Sequence, residues 1–207
     1  MATHTQFLDV TTDRRRRWTV DDYHKMIEAG ILDEWDKVEL IGGEVVEMSA
    51  KGRRHSWSLM ALNQALQAQL LPEVVVVDSQ NPLILTDDSE PEPDVVVLRG
   101  PLERYQSRLA TAADVVLLVE VSDSSLRFDR EVKLPRYARA SVPEVWIVDL
   151  TGEGGVERYT DPMEAGAYGA VVRFGRGDTA ESVALQGFSV AVDWLLGPAP
   201  EADETSS

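Results

Sequence analysis

Three acidic side chains stand in stretches that otherwise read as apolar strands, and chemistry is expected there. Asp94 follows Pro93 and opens the apolar run 95–98, so a strand fixes its carboxylate, unlike the other acids of the segment 87–94. Glu120 lies within Val-Val-Leu-Leu-Val-Glu-Val, residues 115–121. A carboxylate there is costly unless it is paired, protonated or bound to a cation. A strand end that reaches water, or an arginine partner, is the plain alternative. Glu39 is central in residues 37–41 and by alternation shares a face with Lys37 and Ile41. Taken alone, it reads as a surface residue of an edge strand.

A basic segment follows Glu120. Arg127, Arg130, Lys133, Arg136 and Arg139 recur every three residues against only Asp129 and Glu131. Steps of three drift around a helix, so the cations form a broad ridge, for which a solvated face is the plain reading. Arg127, Arg130 and Arg136 are the candidates for nucleic-acid phosphate contacts. Asp129, Lys133 and Tyr137 are four apart and lie near one face, which returns Lys133 toward the Glu120 strand. An acid opening one strand, an acid in the next and a nearby lysine make a nuclease-like set. Magnesium takes carboxylate and phosphate oxygens, keeps several waters and lowers the pKa of one of them. Lys133 would then stay charged and position that water or offset charge at phosphorus, with no part in folding. His55, at a helix start, reads first as structural but could line the substrate side. Tyr137 reads first as a packing residue, and Gln80 adjoins a strand that feeds the same cleft.

The elements that must carry these residues are legible. Thr19 reads as an N-cap with Asp21 and Asp22 in the first turn, Tyr23, Met26 and Ile27 form a helical stripe, and Gly30 ends it. Gly42-Gly43 between residues 37–41 and 44–48 predicts a two-residue hairpin. Trp57, Met60, Ala61, Leu62, Leu66 and Leu70 predict a helix of four to five turns over about 54–71, closed by Pro72. Strands are expected at 74–78, 82–86, 94–98, 115–121 and 144–150. The 115–121 run is apolar enough to be buried on both faces. Residues 127–140 read as a helix that Pro135 kinks or tightens, and the crossover from 115–121 to 144–150 leaves parallel and antiparallel pairing both open. Beyond Gly154-Gly155, strands are expected at 156–160, 168–174 and 182–185, then a helical turn at 191–196. Residues 1–17 read as a flexible tail with the basic run 14–17, residues 18–197 as a single domain, and 198–207 as a disordered acidic tail.

Composition narrows the functional classes. The chain has 207 residues, 43% of them hydrophobic, so a sizeable core is available. It has no cysteine, which excludes a disulfide framework and a thiol nucleophile. No apolar run has the roughly 20 residues of a membrane helix, and no secretory signal is evident, so a cytoplasmic location is expected. The 36 acidic and 20 basic residues give a net charge of −16. That argues against a surface that binds nucleic acid everywhere, but not against a local basic groove.

The fragments VELIGGEVVEM, SEPEPDVVVL, VVLLVEVSDSS, DREVKLPRYARA and VPEVWIVDL, in that order, resemble the Uma-type putative restriction endonuclease family of the PD-(D/E)XK nuclease superfamily. The resemblance runs over about residues 18–196. It implies an α/β fold with a restriction endonuclease-like core, a mixed central sheet flanked by helices, and an added antiparallel hairpin region. It also implies Glu39, Asp94 and Glu120 as acidic, metal-holding residues and Lys133 as the basic one. The activity implied is magnesium-dependent endonuclease cleavage, with manganese as an alternative ion, DNA as the expected substrate and a homodimer as the expected assembly. A nuclease-fold binding module without turnover is the alternative. The superfamily lysine usually stands two residues after the second acid; here that place is Ser122.

Overall fold

The computed structural model describes residues 15–33, 35–71 and 74–198. Most of the two expected tails, and Pro72, lie outside these residues. In chain order the elements begin with α1 (Val20–Glu28), β1 (Val38–Ile41), β2 (Glu44–Glu47) and α2 (Arg53–Gln69). The strands β3 (Val75–Asp78), β4 (Leu83–Ile84), β5 (Val95–Arg99), β6 (Ala110–Thr111) and β7 (Val115–Ser122) follow. A broken helix comes next: α3 (Leu126–Phe128), a π-turn at Asp129–Lys133, and α4 (Leu134–Arg139). The chain closes with β8 (Glu144–Asp149), β9 (Gly155–Met163), β10 (Ala167–Phe174), β11 (Thr179–Glu181), β12 (Ser189–Ala191) and α5 (Val192–Leu196).

The central sheet has six strands in the order β10-β9-β8-β7-β5-β3. β7 and β8 are parallel and every other pair is antiparallel, so the sheet is mixed. Both faces are covered. Val95 and Val97, Leu117 and Val119, and Trp146 and Val148 join the core under α2 and α5. Their alternates Val96, Leu98, Leu118 and Val145 join a second core with Tyr137 and Ala138 of α4, and Val115 joins it across the register shift between β5 and β7. A strand between two apolar layers needs apolar side chains in both directions, which is why β5, β7 and β8 read as continuous runs. The parallel β7–β8 pair resolves the open crossover, because the broken helix carries the chain back to the start of the neighbouring strand.

Local signals act as their chemistry dictates. Thr19 and Asp22 form a reciprocal capping box at the start of α1. Gly42 and Gly43 both take positive φ, at +58° and +76°, the backbone of a tight hairpin turn. Arg15 and Arg17 are not a frayed arm: both pair with Glu44, and Arg17 also donates to the Gly42 carbonyl.

Three expectations need correction. Only Leu83 and Ile84 of 82–86 form a strand, pairing in parallel with β6. Residues 182–185 are not a strand. Glu144 accepts the N–H groups of Val183 and Ala184 at 2.9 and 2.7 Å, so a side chain takes the place of a ladder. The pairing there is between β11 and β12. The helix expected at 127–140 is interrupted. The Leu134 N–H reaches back to the Asp129 carbonyl, five residues away, and Pro135 follows in the first turn of α4 with no N–H to give.

α2 packs one side on the sheet. Leu62 and Leu66 are fully buried, whereas Trp57 and Met60, on the same predicted stripe, remain exposed. The stripe is narrower than its composition because Trp57 sits at the edge, where its indole N–H donates to the Trp194 carbonyl and its ring packs edge-on against Trp194. Leu62→Ala is therefore expected to cost about 2–5 kcal/mol, and Met60→Ala no more than about 0.5 kcal/mol. Denaturant unfolding of the two variants checks the contrast.

Candidate active site

One cavity of about 220 Å³ opens where β1, the loop before β5, the end of β7, the start of α2 and the π-turn meet. Sheet register sets its centre. Val96 faces Leu118 and Val95 faces Val119, so the next step places Asp94 opposite Glu120. The two are locked together by backbone. The Val121 N–H donates to Asp94 Oδ2 at 2.9 Å, and the Asp94 N–H lies 3.4 Å from Glu120 Oε2. β1 reaches the same cavity because Leu40 bridges to Glu90, and the Glu92 N–H donates to Glu39 Oε2 at 3.1 Å.

The expected site residues come together unequally. Glu39, His55, Asp94, Glu120 and Lys133 all line the cavity. Tyr137 stands behind it, its hydroxyl donating to Glu120 Oε1 at 2.5 Å. Gln80 touches Asp94 only weakly, at 3.4 Å, from a left-handed backbone position (φ +57°) that a non-glycine residue seldom takes. His55 lies 3.0 Å from Asp94 Oδ1 through Nε2.

Arg127, Arg130 and Arg136 do not line the cavity. Arg127 pairs with Glu131 on its own helix, Arg130 is held by Asp149 and Glu157, and Arg136 donates to the Val132 carbonyl. In so acidic a chain, carboxylates within the molecule take up Arg127 and Arg130, and a backbone carbonyl of its own helix takes Arg136.

Among the described residues, no three His, Cys, Asp or Glu side chains are placed to hold one metal ion between them. Glu39 is drawn aside by Lys133, whose Nζ lies 3.0 Å from Glu39 Oε2 and 3.3 Å from Glu120 Oε1. What remains is the pair Asp94 and Glu120. That donor set suits magnesium, which is usually bound through one or two carboxylates and completes its shell with water and substrate phosphate. It does not suit an ion that needs an all-protein cage.

Environment pushes the two carboxyls in opposite directions. Burial drives Glu120 up to about 8; Lys133 and the Tyr137 hydroxyl oppose the rise, and Asp129 and Asp94 add to it. Burial also acts on Asp94, but His55, the Val121 N–H and Lys51 outweigh it and hold Asp94 below its ordinary value. Burial opposes the charge on Lys133, yet Glu120, Glu39 and Asp129 overcome it and raise its pKa, so the ammonium persists.

Sequence reasoning named the spacing of Asp129, Lys133 and Tyr137 but missed Asp129 as a site residue. Asp129 is buried on the cavity wall and accepts 2.7 Å hydrogen bonds from Ser122 and Ser125. Burial raises its pKa, against Lys133 and the two serines. Ser122, at the place of the usual superfamily lysine, thus anchors the turn that delivers Lys133. Lys51 was missed as well, and a lone lysine in a loop carries no periodic signal.

The sequence profile of the Uma2 family, described as putative restriction endonuclease, matches residues 20–193. The chain belongs to the Uma2 family. A solved structure from Anabaena variabilis ATCC 29413, described as a putative nuclease belonging to DUF820, is similar in fold, with a TM-score of 0.65 at 12% identity. The match covers 86% of this chain and 97% of that one. No curated protein matches the chain at a significant level. Glu39, Asp94, Glu120 and Lys133 come from β1, the residue before β5, β7 and the π-turn, so the site needs those elements brought together.

The buried pairs of Lys133 with Glu39 and Glu120 argue against the expectation that the fold would be indifferent to it. Lys133→Met leaves Glu39 and Glu120 buried without their shared cation, and is expected to cost about 3–5 kcal/mol. Adding Glu39→Gln should recover part of that loss, a coupling that a double-mutant unfolding cycle measures. The raised Glu120 carboxyl gives a second expectation. Protons compete with a cation for its oxygens, so magnesium affinity should fall as pH drops below about 8, by at most about tenfold per unit. Calorimetry from pH 6 to 9 checks this, and a flat affinity would remove Glu120 from the metal site.

Proposed function

We propose that the protein is a metal-dependent endonuclease that hydrolyses phosphodiester bonds of nucleic acid, with DNA the first substrate to test. Membership of a family described as putative restriction endonuclease supports a nuclease. The observation that carries the finer reading is the pairing of Asp94 with Glu120 across β5 and β7, with their carboxyl groups pushed in opposite directions. Pairs of titratable groups with opposed environments mark sites of acid–base or metal chemistry.

Asp94 and Glu120 would hold the magnesium, which when bound polarises a phosphate oxygen and lowers the pKa of a bound water. The chain's own groups do the rest. Asp94 stays ionised because His55 and the Val121 N–H hold it, so it is ready to accept a cation. Tyr137 and Lys133 fix one oxygen of Glu120 and leave Oε2 on the Asp94 side. Asp129, tied by two serines, keeps the π-turn against the cavity wall.

Plasmid DNA, DNA oligonucleotides and RNA, each incubated with magnesium or manganese, test the reading. Cleavage should require the cation, and Asp94→Asn should lower it by at least about 10²-fold, the scale of losing one preorganised polar group, without a matching fall in melting temperature. Cation-dependent cleavage that survives in Asp94→Asn would reject this site. Nucleic-acid binding with no turnover under any cation would favour the binding module instead.

A further inference from the structure

The cavity is strongly acidic. Among the described residues, seven that line it are Asp or Glu, and the only lysines or arginines are Lys51 and Lys133. A phosphodiester that enters it needs a cation that is not already committed. Lys133 is committed: its side chain is 8% exposed and it sits within 3.3 Å of two buried carboxylates. To reach a substrate it would have to abandon both, leaving them buried and unpaired.

Lys51 differs in each respect. It lies in the irregular segment 48–52 between β2 and α2, at the cavity wall. Its side chain is 33% exposed. Its Nζ is 3.7 Å from Asp94 Oδ1, beyond hydrogen-bond distance, and that oxygen already has His55 as a closer partner at 3.0 Å. A compact ammonium on a flexible four-carbon stem can swing from that loose contact to an incoming phosphate at little cost. The neighbouring Arg53 is exposed and forms no ion pair with any described residue, so it adds a second cation beside Lys51.

We propose that Lys51, and not Lys133, is the lysine that contacts the substrate phosphate, with Lys133 serving as the fixed counter-charge of the buried acids. This rests on the nuclease reading above. The two lysines divide a task that the superfamily pattern gives to one residue after the second acid, where this chain has Ser122.

The test compares wild type, Lys51→Met and Lys51→Arg. Binding to a duplex DNA oligonucleotide is measured in calcium at several salt concentrations, cleavage is measured in magnesium, and magnesium affinity is measured without nucleic acid. Lys51→Met should melt as wild type does, because the side chain is exposed and loosely held. Its salt slope should fall by about 0.9, one phosphate contact, and cleavage should fall by about 10²-fold or more. Its magnesium affinity should hold or rise, since a cation beside Asp94 has been removed. Lys51→Arg keeps the charge and should restore the salt slope. Wild type that binds and cleaves, with Lys51→Met unchanged in slope and rate, overturns this inference alone. A loss of magnesium affinity in Lys51→Met overturns it too, by making Lys51 a support of the metal site. Wild type that neither binds nor cleaves overturns the nuclease reading, and this inference with it.

Discussion

A single buried ammonium holds the site together. Lys133 joins β1, through Glu39, to β7, through Glu120, from a helix that packs on neither strand's hydrogen-bonded edge. Three charges with fractional exposures below one tenth would be prohibitive apart. Together, with both acids ionised, they carry a net charge of −1, further relieved by the Tyr137 hydroxyl and the Glu92 N–H. The strongly raised Lys133 and the raised Glu120 are two views of one arrangement. The protein keeps the cation and lets one carboxyl approach neutrality.

The π-turn is the geometric answer to that demand. A regular helix from 126 to 139 would place Asp129, Lys133 and Tyr137 at steps of four, each drifting about 40° around the axis. The wider turn at 129–133 corrects the drift, so that Asp129 meets Ser122 and Ser125 while Lys133 and Tyr137 both meet Glu120. π-turns are rare and gather at functional sites. Here the reason is visible: two residues of β7, Glu120 and Ser122, each need a partner from the same helix.

Much of this could be read from residues alone, for a physical reason. Apolar runs at 95–98, 115–121 and 144–150 report burial on both faces, and an acid inside such a run stands out because it violates the pattern. Glu120 and Asp94 were therefore conspicuous. The role of Glu39 was not, because its partner is 94 residues away and alternation says only which face it shares. The fate of Arg130 was equally hidden: its acids, Asp149 and Glu157, lie on strands whose order follows from topology rather than composition. The false strand at 182–185 failed because Glu144, a side chain from another strand, supplied the acceptor that a ladder would have supplied.

The division of labour between lysines follows from the same electrostatics. A residue that neutralises buried carboxylates is stabilising in proportion to how little it can move, and a residue that receives a phosphate must move. In a cavity with seven acids, one lysine cannot do both without exposing a bare charge pair at each turnover. Placing the fixed cation on a helix and the movable one on a loop removes the conflict. It also lets a chain of net charge −16 offer a movable ammonium beside its carboxylates without loosening the core that holds them.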